Sequence, residues 1–466
     1  MFIQLIRDKS IALFFLWTAP VVLFILNPLG GESAWVLWGA TLSSILVSFK
    51  DRKYFVLILP FVALLSPLVG NVKIINLYPS EIFIIVSGVA LIWQMIAKKK
   101  YRITLYYGDV ILITMLFLVV ISYIFSFEHE TLLKSIYSWI LLVIAFFSCR
   151  MFLTPKDIHL YLISLVASIL LSSLLVIFSF YENIILNNFI HSSQVVDYIY
   201  QENLSRASYF YTNIGFLFGA VALILYVSLF SYNSKKNKII AILSMFIVIG
   251  ALSLMLEKTA ITSIFLTLFI TFIVFFSKFK INTVVISLLF SIVLAALIFY
   301  FYLLSDLKLM DGMHVGGFTQ RLCVYTSTIE VLLNNFLRFV FVGFGPDSSI
   351  LINGNLVINS AKVSCNFEQE GTIDGTYMTN LFEYGLIFIL LFLIYLVRIT
   401  MKIFPQIISS SRVFDHFHIY FFVIFTYFSI SFISDSIGTS KVMWVAVQLF
   451  ALTPMTFRNN LIYTVK

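Results

Sequence analysis

The sequence predicts an all-α fold, a polytopic integral membrane helical bundle that forms a single membrane domain over residues 1–466. Hydrophobic residues make up 61% of the chain and charged residues 11%, whereas soluble domains average roughly 45–50% and 25%. The mean hydropathy is +1.02, so the chain has too little polar surface to remain in water. Its apolar runs are continuous rather than alternating, which favours spanning helices over strands.

About fourteen spans are predicted, because a bilayer core of ~30 Å is crossed by about 20 apolar residues in a helix. Several runs are short, so about twelve or thirteen crossings are also compatible with the sequence. The first run follows Arg7 and Lys9 without a small-residue cleavage site, and is therefore predicted to be a span rather than a signal peptide. In chain order the predicted spans are Ile11–Asn27, Ser33–Phe49, Tyr54–Val69, Glu81–Ile96, Tyr106–Phe125, Thr131–Cys149, Ile158–Phe180, Tyr209–Phe230, Ile239–Leu256, Ala260–Ser277, Ile281–Leu304, Tyr377–Val397, Phe417–Ile433 and Val442–Phe457.

Positive charge orients the bundle, because cytoplasmic loops carry an excess of Lys and Arg. With the N-terminus in the cytoplasm, most of the 30 Lys and Arg residues fall in the inner loops. The prediction is therefore N-in/C-in. The remaining cations oppose this signal and lie on the outer side: Lys73, Lys134, Arg206, Lys258, Lys308, Arg321, Arg338, Lys362 and Lys441.

Two outer loops are longer than the few residues that join most helices. The shorter is predicted over 181–208, and the larger over 305–376, long enough to cap the bundle. Within the larger loop, Arg321–Phe341 has apolar residues near helical spacing, which predicts an amphipathic helix. The Gly-Phe-Gly-Pro sequence at 343–346 is a stop signal for that helix.

Several classes of site have no signature in this sequence. It has no phosphate-binding loop of the G-x-x-x-x-G-K-[ST] type, no H-E-x-x-H, no C-x-x-C and no G-x-S-x-G. The histidines show no metal-ligand pattern beyond His416 and His418, which are interpreted as interfacial. The basic residues form short clusters between spans, so no nucleic acid partner is predicted, and no metal or cofactor is predicted either.

The three cysteines divide between the two sides of the predicted bundle. Cys149 lies at an inner helix end, where its thiol is expected to stay reduced. Cys323 and Cys365 share the larger outer loop. Either they form a disulfide or they are two buried free thiols, and the sequence leaves both open.

Three stretches at the outer ends of spans combine charged residues, aromatic residues and glycines. The first leads a cation straight into a span, the second is a charged hairpin between two spans, and the third closes the larger loop. The residues that stand out are Arg206, Phe210, Asn213 and Gly215; Glu257, Lys258, Thr259 and Ala260; and Arg321, Tyr325, Gly343, Gly345, Asp374, Gly375, Tyr377, Glu383 and Gly385.

In this order and topology, the stretches resemble the O-antigen polymerase and ligase superfamily of bacterial membrane glycosyltransferases. The resemblance covers roughly residues 206–397 and rests on the ordered set, since each motif alone is weak. Asp374 stands where ligases have a histidine, which is more like the polymerases. Lys258 replaces the usual arginine of a Ser-Arg-x-Ala hairpin, and an ammonium group lacks the bidentate geometry of a guanidinium.

The resemblance implies an O-antigen polymerase that joins undecaprenyl-diphosphate-linked oligosaccharide repeat units at the periplasmic face of the bacterial inner (cytoplasmic) membrane. It implies that Arg206, Lys258 and Arg321 bind the diphosphate, and that Asp374 activates the acceptor hydroxyl with Tyr377 beside it. Besides the membrane lipids, it implies a polysaccharide chain-length regulator as a partner. The supporting residues implied by the motifs are Asn213, Tyr325 and Glu383.

Each of these residues also has a structural interpretation. An arginine at the interface can snorkel, Lys258 can pair with Glu257, and Asp374 can cap the helix that follows it. Glu383 can be buried and hydrogen-bonded inside the bundle.

Two other functions remain open at this point. One is an O-antigen ligase, which performs the same chemistry with a lipid-core acceptor. The other is a flippase-type transporter of the same lipid-linked oligosaccharide. Transporters usually place ionisable groups near the midplane and keep outer loops short, whereas the charged residues here lie at helix ends beside a long outer loop. That pattern favours an enzyme that works at the outer face.

Overall fold

The structure is a computed structural model, and helices make up most of its described part. The described residues are 10–26, 32–65, 77–97, 103–105, 107–125, 132–186, 196–201, 204–209, 215–231, 234–255, 258–275, 329, 331–345, 376–409, 417–432, 441–456 and 463–465.

The first half of the chain forms α1 to α8, with α3 and α4 occupying one predicted span. A single 3₁₀ turn, Pro155–Asp157, joins α7 to α8. The helices are α1 (Ser10–Leu26), α2 (Glu32–Lys50), α3 (Tyr54–Leu57), α4 (Leu59–Leu65), α5 (Pro79–Ala97), α6 (Tyr107–Ile124), α7 (Leu132–Phe152) and α8 (Ile158–Leu186).

The second half adds α9 to α16, and two antiparallel strand pairs complete the described elements. The helices are α9 (Gly215–Ser231), α10 (Lys235–Leu254), α11 (Lys258–Phe275), α12 (Phe336–Phe341), α13 (Thr376–Tyr384), α14 (Leu386–Ser409), α15 (Phe417–Ser431) and α16 (Lys441–Leu452). A 3₁₀ turn, Thr453–Thr456, follows α16. The strand pairs are β1 (Ile103–Leu105) with β4 (Tyr463–Val465), and β2 (Val196–Gln201) with β3 (Leu204–Tyr209).

The composition of these helices confirms an all-α, membrane-embedded protein. Within the described residues, 4 helices are long and apolar enough to cross a bilayer: Pro79–Ala97, Pro155–Phe178, Lys235–Leu254 and Leu386–Pro405. Shorter apolar helices of 10–17 residues accompany them. Helices overlap every predicted span except Ile281–Leu304, which lies outside the described residues.

Two predicted spans are each divided into two helices. The third is interrupted at Ile58 between α3 and α4, because Pro60 has no N–H to donate and cannot continue the hydrogen-bond ladder. The twelfth is interrupted at Gly385, where φ is +84°. Hydropathy does not register either break, since the residues around both are apolar.

The shorter predicted loop, 181–208, contains regular secondary structure that the sequence analysis does not predict. Helix α8 continues to Leu186, and β2 and β3 form a hairpin that reaches Tyr209. Tyr209, the first residue of the predicted span Tyr209–Phe230, belongs to this hairpin, and the described helix of that span runs from Gly215. The local signal for this hairpin is the content of β-branched and aromatic residues in Val196–Gln201.

The last helices of the chain lie at the centre of the bundle. Helix α15 packs against α9, α11 and α14, and α16 packs against α7 and α4. Phe216 of α9 stacks on Phe428 of α15 with ring centroids 4.4 Å apart. The carbonyls of α16 accept hydrogen bonds from the hydroxyls of Tyr161 and Tyr395, at 3.3 Å and 3.2 Å. The two halves of the chain therefore share one core.

Candidate active site

The predicted site residues differ in how much the structure describes of them. Tyr377 and Glu383 are described with their side chains, whereas Arg206 and Lys258 are described by backbone alone. The others lie outside the described residues: Asn213, Arg321, Tyr325 and Asp374.

The two backbone positions lie in different kinds of element. Arg206 is in β3, paired with Ile199 of β2. Lys258 is the first residue of α11, three residues after Met255, which caps the end of α10. Arg206 is thus part of a strand rather than the start of a span, whereas Lys258 begins an apolar helix.

Helix α13 is held at its beginning by Tyr377. The Tyr377 backbone N–H donates to the carbonyl of Phe432 at 3.3 Å, and its hydroxyl donates to the carbonyl of Ser429 at 3.2 Å. The ring contacts Phe392 and Phe432, with centroids 6.1 Å and 6.0 Å away. Tyr377 thus fixes α13 to the end of α15, and only the lone pairs of its phenolic oxygen are left for an incoming donor.

The end of α13 meets the Gly-Phe-Gly segment of the larger loop. The Phe344 and Gly345 N–H groups donate to the carbonyls of Phe382 and Glu383, at 2.9 Å and 3.0 Å. The Ser122 hydroxyl of α6 donates to the same Glu383 carbonyl at 2.6 Å. We call this contact between 343–345 and 382–385 the glycine junction. It joins the two halves of the third motif, which are separated by most of the larger loop.

Glycine is required at two positions of the junction. Gly343 has φ +64°, and a Cβ there would lie 2.5 Å from the backbone carbon and oxygen of Glu383. Gly385 has φ +84°, and its Cβ would lie 3.0 Å from the Phe339 carbonyl oxygen. These two backbones can approach so closely only without side chains, which is the physical reason for both glycines.

The amphipathic helix predicted over Arg321–Phe341 is interrupted where it is described. Residues 331–334 are helical, and α12 begins only after Asn335. The Asn335 side chain donates to the carbonyl of Val331 at 3.0 Å, so it competes with the backbone for that acceptor. Buried Val331 and Leu332 pack with Phe344 and Phe382, which attaches the segment to α13.

Glu383 is buried, with 6% of its surface exposed, as its structural interpretation predicts. Its neighbour Tyr384 accepts a hydrogen bond from the Trp139 indole N–H of α7 at 2.9 Å. Helix α13 is therefore fixed by α6, α7, α15 and the Gly-Phe-Gly segment. Such a rigid support is what a loop that ends at Asp374 needs to position a reacting group.

A largely apolar cavity adjoins α13, between α6, α7, α14 and α16. Its empty volume is about 810 Å³, including the part that opens to the surroundings. Asn380 is the contribution of α13, and Trp139, Phe388 and Phe392 line the neighbouring walls. Asp109 lines the cavity near the start of α6. At a helical rise of ~1.5 Å per residue, Asp109 lies about 20 Å from Ser122 along that helix.

Asp109 forms a buried ion pair that sequence analysis missed. Its Oδ1 lies 2.7 Å from Nη2 of Arg150 at the end of α7, and the two side chains are 1% and 4% exposed. The sequence suggests only that Arg150 is an inner-loop cation. The available signal was the position of Asp109 in the first turn of one apolar helix and of Arg150 in the last turn of the next.

The described residues contain no group of three or more His, Cys, Asp or Glu that could hold a metal ion. Cys149 is free and buried, whereas Cys323 and Cys365 lie outside the described residues. No protein-family model and no curated protein matches this chain. The geometry around α13 is therefore the main basis for a functional proposal.

Proposed function

We propose that this chain is a polysaccharide polymerase of the O-antigen type. It joins undecaprenyl-diphosphate-linked oligosaccharide repeat units by metal-independent glycosyl transfer, at the periplasmic face of the bacterial inner membrane. The acceptor is the sugar of another lipid-linked unit. A chain-length regulator is the proposed protein partner.

The observation that carries the proposal is the glycine junction. Gly343 and Gly345 on one side, and Glu383 and Gly385 on the other, belong to the two halves of the third motif, and hydrogen bonds join their segments. The close approach of neighbouring backbone to a Cβ at Gly343 and at Gly385 explains why each half needs a glycine. Two halves that meet in this way support the interpretation that they serve one site.

The proposed topology has about fourteen spans and is N-in/C-in, with the loops 181–208 and 305–376 in the periplasm. Pairing of β1 with β4 supports it, because the loop after α5 and the C-terminal segment must then lie on one side. The contact of Tyr377 with the end of α15 is compatible with both being at the outer side. The Asp109–Arg150 pair similarly joins two ends that the topology assigns to the inner side.

The proposed mechanism assigns binding of the diphosphate to Arg206, Lys258 and Arg321. Their cationic groups hold the leaving group through charge-assisted hydrogen bonds and stabilise the charge that develops on it. Asp374, two residues before α13, accepts the proton of the acceptor hydroxyl. Tyr377 orients the acceptor, because the lone pairs of its phenolic oxygen can accept a hydrogen bond from a sugar hydroxyl.

The proposed reaction is a single displacement at the anomeric carbon, in which one bond forms as another breaks. The acceptor oxygen forms a bond to the anomeric carbon, while the bond from that carbon to the phosphate oxygen breaks. The proton goes to Asp374, and undecaprenyl diphosphate leaves with the electron pair. Attack from the side opposite the leaving group inverts the anomeric configuration.

The test is the lipopolysaccharide ladder of a strain that lacks this gene and carries a plasmid copy. The deletion should leave lipid core with a single repeat unit, because flipping and ligation still operate. Asp374→Asn should reproduce the deletion, since an amide cannot accept the proton. Glu368→Gln, another acid of the same loop without a role in the mechanism, should restore the ladder.

Other patterns would contradict the proposal in distinguishable ways. A bare core with accumulated lipid-linked polymer would indicate a ligase, and a bare core without that polymer would indicate a flippase. A normal ladder from Asp374→Asn at matched protein levels would remove Asp374 from the mechanism.

A further inference from the structure

The segment 329–341 exposes large apolar side chains on the surface of the protein. Leu337 is 74% exposed, the highest value among them. Such side chains in water would cost free energy, and contiguous apolar surface of this kind marks a contact with something apolar. The exposed set is Ile329, Leu333, Phe336, Leu337 and Phe341.

This exposed set is not the face by which the segment attaches to the protein. Val331 and Leu332 are buried at 8% and 1%, and pack with Phe344 and Phe382. The segment is therefore apolar on two sides, and the residues that the structure describes cover only one. Asn334 and Asn335 are its exposed polar residues.

The position of α12 indicates what covers the second side. Its end lies beside Gly385, where a Cβ would be 3.0 Å from the Phe339 carbonyl oxygen, so α12 adjoins the very start of α14. Helix α14 contains the candidate span Leu386–Pro405. Its own exposed apolar side chains include Leu390, Leu393 and Val397. The exposed side chains of α12 thus lie beside the end of a candidate span that also exposes apolar side chains.

We infer that α12 and the turn before it lie in the interfacial layer of the bilayer, with Leu333, Phe336, Leu337 and Phe341 among the lipid acyl chains. Interfacial helices lie in the plane of the membrane surface, with an apolar face among the acyl chains and a polar face toward the headgroups, and Asn334 and Asn335 are exposed polar residues of this segment. Because the glycine junction ties this segment to α13, lipid contact at α12 fixes the depth of α13 in the membrane. The inference does not depend on the proposed reaction.

The test places a fluorophore on the segment in the full-length protein. Cys149, Cys323 and Cys365 are replaced by Ala, a single cysteine is introduced as Leu337→Cys, and a bimane label is attached. The labelled protein is placed in phosphatidylethanolamine–phosphatidylglycerol nanodiscs. Quenching is measured with aqueous iodide and with nitroxide-labelled lipid. Asn334→Cys is the matched water-facing control, and Leu393→Cys is the membrane control.

The bimane label at 337 should show the same quenching pattern as the label at 393. We expect strong quenching by nitroxide lipid and an iodide quenching constant about threefold or more below that of the label at 334. Should Leu337→Cys fail to fold, Phe341→Cys replaces it on the same face. Strong iodide quenching at 337 would overturn the inference, since the face would then be in water. Protection from both quenchers would also overturn it, because a protein surface would then cover the face.

Discussion

At the scale of single residues, each charge of the buried ion pair between Asp109 and Arg150 needs its partner in order to be tolerated inside the protein. Each charge has lost its water, and the 2.7 Å contact compensates much of that loss. The helix dipoles help, because Asp109 lies in the first turn of α6 and Arg150 in the last turn of α7. Removing one partner leaves the other charge buried without it.

We therefore expect Asp109→Leu to destabilise the protein by about 3–5 kcal/mol. The double variant Asp109→Leu with Arg150→Met should regain much of this, because it leaves no buried charge. The measurement is the thermal midpoint in detergent by fluorescence-detected size exclusion. The half-exposed pair of Asp51 and Lys53, 3.2 Å apart, is the control, and Asp51→Asn should cost less than about 1 kcal/mol. A double variant as unstable as the sum of the two single variants would contradict this account.

The sequence suggests candidate site residues but does not indicate which residues they contact. Glu383 could be interpreted as buried because it lies inside an apolar run, and burial is confirmed. The carbonyl hydrogen bond from Ser122 joins residues 261 positions apart, and no local pattern contains that information. The pairing of Arg150 with Asp109 was missed for the same reason, since a cation at a span end can face either a loop or a partner helix.

At the scale of elements, the hydrogen bonds and close backbone contacts of the glycine junction connect α12, α13 and α14 into one packed unit. Gly343 is the tightest point of that unit, because a Cβ there would meet the Glu383 backbone at 2.5 Å. Gly250, within α10, has no atom within 4 Å of its hypothetical Cβ. The two glycines thus provide a matched comparison.

Gly343→Ala should lower the thermal midpoint and abolish the polymer ladder, because the end of α13 must shift to admit the methyl group. We expect a cost of about 1–3 kcal/mol or more from the strained φ and the close contact. Gly250→Ala should instead stabilise its helix by about 0.5–1 kcal/mol. Both are measured as thermal midpoints beside the ladder on a gel. Equal behaviour of the two variants would refute the requirement for glycine at 343.

Hydropathy locates helices better than it locates their ends. Long continuous apolar runs predict the helices, because a bilayer core of ~30 Å is crossed by about 20 apolar residues. The breaks at Ile58 and Gly385 and the hairpin before α9 depend on proline, glycine and strand pairing, which an average over a window obscures. Of these, Gly385 belongs to the glycine junction.

At the scale of the whole molecule, β1 and β4 join the region after α5 to the end of the chain. Thr104 is the direct partner of Thr464, and Leu105 is the partner of Tyr463. Cysteines at paired positions should form a disulfide on oxidation, since paired residues have Cβ atoms about 4.5–5.5 Å apart. This offers a test of the fold that does not depend on function.

In a variant without the native cysteines, Thr104→Cys with Thr464→Cys should cross-link with copper phenanthroline. Thr104→Cys with Tyr463→Cys should cross-link far less, because neighbouring residues of a strand point to opposite faces. The readout is the gel mobility after cleavage by a protease between the two sites. Equal cross-linking of the two pairs would contradict the register.

The central position of α16 has a consequence for biogenesis. Cys149 contacts the Gln448 carbonyl across 299 residues, and Tyr161 contacts that of Val445 across 284. At synthesis rates of about 5–20 residues per second, roughly 15–60 s separate the appearance of these partners. The surfaces of α7 and α8 that contact α16 therefore stay uncovered in the bilayer until the end of the chain has been synthesised. Quality-control proteases can act on the nascent protein during that interval. Loss of even the last helix would leave these surfaces of the first half permanently uncovered.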